Sequence, residues 1–263
     1  MHDSVFDRYR EGNSLIHRLD PRVKVVVTVG LILSNALLPD GAWAAFAFSW
    51  ALVLLGNALA GLGMDFTFRR SFVALPFALV AVTAVFSLPG RALFEGDLGP
   101  WHLVVTEAGV VRFASVLLRA WLSVQVAILL IATTRFPDLL HALEHLHLPS
   151  LLVTTIAFLY RYMFVLTDEV LRMTRARQAR SALLPGRRGG GTVSWRARVA
   201  GNMVGQLFLR SYERSERIYQ AMLARGYRGQ IRTLAPHVLR GGDYLFALAA
   251  LLGVLLIQLV GRL

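Results

Sequence analysis

Long apolar runs alternate with short polar stretches along this chain, and five of the runs approach the length of a membrane-crossing helix. The hydrocarbon core of a bilayer is about 30 Å thick, so a helix needs about 20 mostly apolar residues to cross it. The five runs cover residues 23–38, 43–62, 72–88, 110–134 and 244–260. This pattern predicts an all-α integral membrane protein with about five transmembrane helices.

The first two runs are joined by a short turn-forming sequence, Pro39, Asp40 and Gly41. Such a sequence reverses the chain tightly, so we expect the two runs to form a helical hairpin. Lys24 lies near the start of the first run, and we expect its long side chain to extend toward the polar interface.

A sixth apolar stretch, residues 150–166, differs from the others because Arg161 lies well inside it. Asp168 and Glu169 follow this stretch at once. A charge at mid-bilayer is costly unless it is paired, so we interpret the stretch as the start of an amphipathic helix outside the membrane. Six spans are the alternative.

The basic residues predict an orientation. The short loop between the second and third runs carries Arg69 and Arg70, and residues 135–240 contain 17 basic against 6 acidic residues. The opposite side of the predicted bundle carries only Arg91 and Arg262. Because basic residues collect on the cytoplasmic side, we expect a multi-pass protein of the cytoplasmic (inner) membrane with its amino terminus inside and its carboxyl terminus outside.

Composition narrows the class of protein further. The 263 residues are 56% hydrophobic with a mean hydropathy of +0.54, and the chain has no cysteine. The absence of cysteine excludes disulfides and thiolate metal sites, and the charged first 22 residues make a cleaved signal peptide unexpected. The net charge of +12 fits a basic face beside anionic lipid. No nucleic-acid partner is expected, because the aromatic residues lie mainly in the apolar runs.

About 100 residues between the fourth and last runs are predicted to form amphipathic helices in the cytoplasm. A short helix covers residues 136–147, and a second begins near Ser150 as its N-cap and ends before Pro185 and Gly186. A third helix covers residues 199–225. The predicted organisation is a cytoplasmic amino-terminal segment, a four-helix membrane bundle, a cytoplasmic coupling region and a last transmembrane helix, at residues 1–22, 23–134, 135–242 and 243–263.

The third of these helices has one apolar stripe, formed by Val199, Met203 and Leu207. The same pattern places Arg210 on the exposed side of the helix. Gly226 follows the helix, where a residue in the left-handed conformation commonly caps the end.

Two arginine tripeptides end the second and third helices: Ala179-Arg180-Ser181 and Ala224-Arg225-Gly226. Small residues beside an arginine let a helix end approach another surface closely, while the planar guanidinium binds carboxylates or carbonyls with two hydrogen bonds. The tripeptides therefore predict docking points. The alternative is that the arginines only complement the helix dipoles and the glycine only caps its helix.

These motifs resemble the transmembrane T component of energy-coupling-factor transporters, in the cobalt-type branch known as CbiQ. Residues 19–24, Leu-Asp-Pro-Arg-Val-Lys, look like the family's amino-terminal signature, and the two arginine tripeptides match its coupling motifs. The resemblance covers nearly the whole chain. Ser181 stands where an Ala-Arg-Gly motif has glycine.

The resemblance implies a non-catalytic transporter subunit with no cofactor. In that family the two tripeptides dock on two ATP-binding subunits, and the membrane bundle holds a substrate-binding S component. The docking residues would then be Ala179, Arg180, Ser181, Ala224, Arg225 and Gly226. The ion would belong to the S component, with cobalt expected and nickel or a vitamin as alternatives.

Two other functions are alternatives to this interpretation. His141, Glu144 and His145 match the His-x-x-Glu-His pattern of a zinc peptidase, although a catalytic zinc also needs a third protein ligand. A stand-alone channel is the other alternative. ATP hydrolysis by the chain itself is not expected, because its only lysine, Lys24, lies outside any glycine-rich phosphate loop.

Two arginines inside the fourth run, Arg112 and Arg119, lie seven residues apart on one helical face. Buried cations usually face a bundle interior or a bound partner. For Arg119 we expect either a pairing within the bundle, with Glu107 or Glu95 as candidates, or a contact with the S component.

Overall fold

The computed structural model describes residues 9–74, 76, 81–83, 85–86, 89, 91–98, 101–180, 192–229 and 239–263. The chain divides into two compact units. Residues Phe6–Ala142 and Pro236–Leu263 form what we call the membrane unit, and residues Met1–Val5 and Leu143–Ala235 form the two-helix unit.

The described elements of the membrane unit are mainly helical. In chain order they are α1 (Leu15–Arg18), α2 (Pro21–Ala36), α3 (Trp43–Ala60), α4 (Met64–Ser71), a 3-10 turn (Phe72–Ala74), β1 (Ala92–Leu98), β2 (Trp101–Thr106), α5 (Glu107–Thr133), the first part of α6 (Phe136–His145), and α9 (Gly241–Val260). The two-helix unit contains α7 (Ser150–Arg180) and α8 (Val193–Ala224).

The start of α2 follows directly from its sequence. The Asp20 side chain accepts a hydrogen bond from the Arg22 N–H at 2.8 Å, and Pro21 fills the first helical position, where no N–H is needed. After the turn at residues 37–42, α3 runs to Gly61, which ends the helix with φ +67°. The predicted hairpin of two helices is therefore present.

The core of the membrane unit lies between α2, α3, α5 and α9. It centres on a cluster of buried side chains from these helices and from the turn after α2, namely Leu38, Ala45, Phe46, Leu122 and Ile257. Buried polar side chains pair inside the bundle, as a bilayer requires: Ser49 Oγ donates to Asn35 Oδ1 at 2.7 Å. These contacts fix four helices around one core.

Four described helices, α3, α5, α7 and α9, have the length and apolar composition to cross a membrane. The all-α membrane class is confirmed, and the predicted second, fourth and last spans match α3, α5 and α9 within three residues. The first span, α2, has 16 residues and is shorter than the others. The predicted third span, residues 72–88, falls largely outside the described residues.

Helix α7 belongs to these four by length and composition, although its first half was interpreted from the sequence as lying outside the membrane. Only 11% of its most apolar 18-residue window is buried within the protein. Most of its apolar surface is therefore not covered by the rest of the described chain.

An antiparallel hairpin of β1 and β2 precedes α5, and the run pattern did not predict it. Leu98 pairs with Trp101 and Glu95 with Val104, while the register is irregular between Ala92 and Phe94. The sequence of β1 lacks the strict alternation of apolar and polar residues that signals a strand, which explains why the hairpin was missed.

A set of buried polar contacts, here called the polar clasp, joins α2, α5 and α9 at one end of the membrane unit. The Asp20 N–H donates to Asp243 Oδ1 at 2.9 Å, and the Arg240 N–H donates to Asp243 Oδ2 at 2.7 Å. Lys24 Nζ donates to the Thr133 carbonyl at 3.1 Å. Asp243 thus caps α9 and also holds the start of α2.

The position of Lys24 refines a prediction. Its side chain reaches back to the helix ends, where Nζ donates to the carbonyls of His17 and Thr133, but the residue is only 6% exposed. The Thr133 carbonyl lies in the last turn of α5, where carbonyls lack helical partners. Lys24 therefore satisfies a helix end that the sequence pattern alone did not indicate.

Candidate functional site

The arginine tripeptides lie at the ends of two long helices. Helix α7 has 31 residues, and α8 has 32 residues with Thr192 as its N-cap, whose side chain accepts a hydrogen bond from the Trp195 N–H at 3.3 Å. Helix α8 therefore starts six residues before the predicted residue 199. Ser150, predicted as the N-cap of α7, is already helical, because the Pro149 carbonyl accepts the Val153 N–H.

The two helices meet at Glu169 of α7. Its carboxylate accepts a hydrogen bond from Arg172 on the same helix and another from Arg210 on α8, both at 2.5 Å. The Glu169 side chain is 9% exposed, whereas those of Arg172 and Arg210 are 67% and 59% exposed. We call these three residues the arginine clamp.

The arginine clamp has an electrostatic signature. The hydrogen bond from Arg210 lowers the pKa of the Glu169 carboxyl below its ordinary value, and the nearby charges of Arg172 and Arg214 lower it in addition. Hydrogen bonds to an ionised carboxylate favour its charged form. The clamp is thus an ion pair at neutral pH.

Two clefts flank the clamp and reveal how the helices run. On one side, the end of α7 with Met173 and Arg180 faces the start of α8 with Trp195 across a cavity of about 510 Å³. On the other side, the start of α7 with Leu151 faces the end of α8 with Met222 across about 760 Å³. The helices therefore run antiparallel and cross at the clamp.

This crossing places the two arginine tips on opposite sides. Arg180, the last residue of α7, lies 11 positions from Glu169, or roughly 16 Å along the helix. Arg225, directly after α8, lies 15 positions from Arg210, or roughly 22 Å. The structure thus does not bring the tripeptides together, and their separation is the geometric property that any function must use.

Both tips are open to their surroundings. Within the part of the chain that the structure describes, the side chains of Arg180 and Arg225 make no hydrogen bond or ion pair, and Ala179, Ala224 and Gly226 are exposed. Gly226 has φ +81°, so the predicted left-handed cap is confirmed. Ser181 lies outside the described residues.

Sequence reasoning missed the clamp, although it placed Arg210 correctly on the exposed side of α8. The Arg210 side chain is 59% exposed, and its guanidinium nevertheless reaches Glu169 on the neighbouring helix. The available signal was spacing, because Arg210 follows Met203 and Leu207 at helical intervals of seven and three residues. A charge that continues an apolar stripe indicates a partner on the facing helix.

Arg119 is paired within the membrane unit. Its Nη2 donates to the Leu38 carbonyl at 2.5 Å and to Asp40 Oδ1 at 2.7 Å, which ties α5 to the turn between α2 and α3. Arg112 Nε lies 4.0 Å from Asp40 Oδ2. Among the described residues, the acidic partner of Arg119 is thus Asp40. It is not Glu107, the candidate named from the sequence, which is the first residue of α5. A contact of Arg119 with an S component stays a prediction.

The histidine motif lies on α6. His141, Glu144 and His145 occupy one short helix that ends at His145. Among the described residues, no group of three or more histidine, cysteine, aspartate or glutamate side chains is placed to hold a metal ion. The structure therefore adds no third ligand to the zinc-peptidase pattern.

Apolar surface on the two-helix unit is largely uncovered. Helix α8 buries none of its residues, and Val204 and Phe208 are each 66% exposed. Contiguous exposed apolar surface in a protein marks contact with a partner or a membrane. The two-helix unit is thus built to be covered by something else.

Comparisons with known proteins agree with this architecture. The sequence profile of the CbiQ family, described as cobalt transport protein, matches residues 12–235. The chain is 28% identical to the energy-coupling factor transporter transmembrane protein EcfT of Thermosediminibacter oceani over 241 residues, 87% of this chain and 86% of that protein. It is 27% identical to the EcfT protein of Leuconostoc gelidum over 274 residues, 99% of this chain and 97% of that protein.

A relative named for cobalt is also similar. The cobalt transport protein CbiQ of Rhodobacter capsulatus is 31% identical over 174 residues, 65% of this chain and 68% of that protein. The region matched by the family profile, residues 12–235, contains the polar clasp residues of α2 and α5, the arginine clamp, and Arg180 and Arg225. This chain is a multi-pass membrane protein and belongs to the CbiQ cobalt transport protein family.

Proposed function

We propose that this chain is the T component of an energy-coupling-factor uptake transporter, in which it couples two ATP-binding subunits to a membrane S component. One observation carries the proposal: Arg180 and Arg225 are exposed, unpaired within the described chain, and lie on opposite sides of one helix crossing. Two separate arginine tips fit two copies of a partner better than one.

The chemistry of each tip suits protein docking. Ala179 precedes Arg180, and Ala224 and Gly226 flank Arg225, so no large side chain surrounds either guanidinium. A planar guanidinium forms two parallel hydrogen bonds with a carboxylate or with exposed carbonyls. The tips would insert into acidic or carbonyl-rich pockets on the ATP-binding subunits.

The arginine clamp gives the pair of helices a means of coupling. If the two ATP-binding subunits approach each other when they bind ATP, the tips move together or apart, and the clamp is the pivot. A partner shifts such an equilibrium only through its different affinity for the two arrangements. The docking affinity of the tips must therefore depend on the nucleotide state of the partners.

Cobalt is the proposed cargo. The family description and the name of the Rhodobacter capsulatus relative support it, whereas other relatives carry the more general EcfT name. The ion would bind to the S component, and the chain would contribute no metal ligand and no catalytic residue. We place the amino terminus and the two-helix unit in the cytoplasm, where ATP-binding subunits are found.

The test is purification of the assembled transporter with the double variant Arg180→Ala/Arg225→Ala. Truncating one side of a buried, charged contact typically costs about 2 to 5 kcal/mol, so co-purification of the ATP-binding subunits should fall well over tenfold. The matched control is Arg175→Ala/Arg228→Ala, two exposed arginines close to the tips in sequence. The control should assemble normally and should support uptake of radioactive cobalt.

Three results would contradict the proposal. Normal assembly and uptake with the double variant would exclude the tips as docking points. Ion flux through the purified chain alone would indicate a channel. Zinc-dependent proteolysis that is lost in Glu144→Gln would indicate an enzyme.

A further inference from the structure

A polar basin opens beside the polar clasp at one end of the membrane unit. It encloses about 440 Å³, and its lining includes three exposed arginines, Arg18, Arg135 and Arg240. The clasp residues Asp20, Lys24, Thr133 and Asp243 also line it. Three helix ends meet here, namely the starts of α2 and α9 and the end of α5, so the basin lies at the height where lipid headgroups meet the protein.

An apolar cleft of about 200 Å³ lies deeper in the same unit, along the membrane-crossing lengths of the helices. Its walls come from α2, α3, α5 and α9, with Leu31, Leu52, Leu129, Phe246 and Ala250 among them. Apart from Lys24, Thr28 and Thr133, the lining is apolar. Such a cleft accepts hydrocarbon and offers a charged group no partner other than Lys24.

The basin and the cleft adjoin each other. Lys24 and Thr133 line both of them, so a molecule with a polar head and an apolar chain can occupy the two spaces at once. The order of the spaces matches a membrane lipid, with the polar part at the helix ends and the apolar part along the helices.

The charges of the basin favour an anionic head. Both oxygens of Asp243 already accept backbone hydrogen bonds, and Lys24 is bound to carbonyls. Among the described residues, Arg18 and Arg240 have no side-chain hydrogen bond or ion pair, whereas Arg135 contacts Glu11 at 3.3 Å. Asp138 also lines the basin and is partly exposed, so the rim carries three arginines against one accessible carboxylate and is net positive, which complements a phosphate.

Two further atoms near the basin lack partners. Asp20 Oδ2 and Thr134 Oγ1 are buried, belong to residues that line the basin, and have no hydrogen-bond partner in the described structure. Buried polar atoms normally have one. A headgroup that carries hydroxyls as well as a phosphate would supply a donor for the carboxylate and an acceptor for the threonine.

We propose that this composite pocket binds one anionic glycerophospholipid with a hydroxylated headgroup, of the phosphatidylglycerol type. The phosphate meets Arg18 and Arg240, the headgroup hydroxyls meet the clasp, and one acyl chain enters the apolar cleft. The lipid thereby fills the space between α2, α5 and α9. The site involves the membrane unit alone and does not depend on the cargo or on the docking of ATP-binding subunits.

The experiment uses the purified, delipidated full chain and native mass spectrometry. The probes are phosphatidylglycerol and phosphatidylcholine with identical acyl chains, and soluble glycerol phosphate. We expect one retained phosphatidylglycerol per chain. Retention should fall roughly tenfold in Arg18→Gln/Arg240→Gln, because two phosphate contacts are lost. The matched control Arg262→Gln, at the far end of α9, should retain the lipid.

A second variant tests the apolar part. Ala250→Leu fills the cleft without changing any charge and should reduce lipid retention, whereas Ala247→Leu, on the same helix but outside the cleft lining, should not. Ala249→Leu repeats the test at a second lining position. Thermal unfolding in detergent identifies any variant that is not folded. If Ala250→Leu does not fold, Ala249→Leu is used in its place, and the reverse.

Each contrary outcome overturns the proposal. Full retention in both cleft-filling variants, with loss in the arginine variant, would mean diffuse attraction of anionic lipid to a basic surface. Equal retention of phosphatidylcholine would remove the role of headgroup charge. Binding of glycerol phosphate as tight as that of the lipid would identify a site for a soluble phosphate ester.

Discussion

Glu169 of α7 accepts a hydrogen bond from Arg210 of α8, 41 residues further along the chain, and this ion pair marks the point where the two long helices cross. Glu169 binds Arg172 as well, but Arg172 belongs to its own helix. The two arginines therefore share one acceptor and differ in what they connect. Only the pair with Arg210 fixes one helix relative to the other.

The first prediction uses this difference. Arg210→Gln should broaden the distribution of distances between spin labels at Ala179→Cys and Ala224→Cys, because the crossing loses its charged contact. Arg172→Gln should leave the distribution narrow. The chain has no cysteine, so the two labels are the only reactive thiols. Pulsed electron resonance measures the distances, and an equal effect of both variants would disprove the role of the crossing.

The second prediction concerns Arg119, which donates to Leu38 and Asp40. Arg119→Met should lower the free energy of unfolding in detergent by about 1 to 3 kcal/mol, because the Leu38 carbonyl and Asp40 lose a charged donor. Arg112→Met should cost less, since its side chain is 54% exposed and its Nε lies 4.0 Å from Asp40. Unchanged stability with loss of the S component would instead assign Arg119 to the partner.

The third prediction compares two glycines of the two-helix unit. Neither Gly205 nor Gly226 has an atom within 4 Å of an added Cβ, but only Gly226 has a positive φ, +81°. Gly226→Ala should therefore cost about 1 to 2 kcal/mol through backbone strain and displace Arg225, weakening partner docking. Gly205→Ala, in the interior of α8, should stabilise the helix by about 0.5 to 1 kcal/mol. Thermal unfolding measures the stability of both variants, and co-purification measures their docking to the ATP-binding subunits. Equal stability and equal docking of the two variants would show that the cap at Gly226 does not position Arg225.

The fourth prediction decides whether α7 crosses the membrane. We expect an impermeant maleimide to label Arg262→Cys from outside intact cells, and Arg18→Cys and Arg175→Cys only after permeabilisation. If α7 spans, Arg175→Cys will react from outside intact cells. Arg262→Cys should react from outside in either case, because the contact of Asp20 with Asp243 holds the starts of α2 and α9 at one end of the bundle. Arg175→Cys therefore distinguishes the two arrangements.

Much of the fold follows from the apolar runs alone. Their lengths predicted α3, α5 and α9 closely, because a bilayer imposes one length on every crossing helix. Gly226 was also predictable, since a glycine after a long helix commonly adopts the left-handed conformation. These features depend on local sequence and on the solvent around it.

Features that depend on distant pairs were not predictable in the same way. Nothing near Asp40 in the sequence indicates Arg119, and nothing near Glu169 indicates Arg210, since each pair is far apart along the chain. Lys24 was expected to extend toward the interface, and its burial among three helix ends and its bonds to the carbonyls of His17 and Thr133 were not predicted. Long-range pairing is decided by packing, which a single sequence does not encode in any short motif.

The hydrogen bond from Asp20 to Asp243 has a consequence for biogenesis. The two residues are 223 positions apart, and the two-helix unit lies between them in the chain. Because domains form in order as the polypeptide leaves the ribosome, α2 must wait in the bilayer with this contact unmade until α9 inserts. The two-helix unit therefore emerges while the membrane unit is still open, and a chain that stalls before α9 leaves an incomplete bundle exposed to membrane proteases.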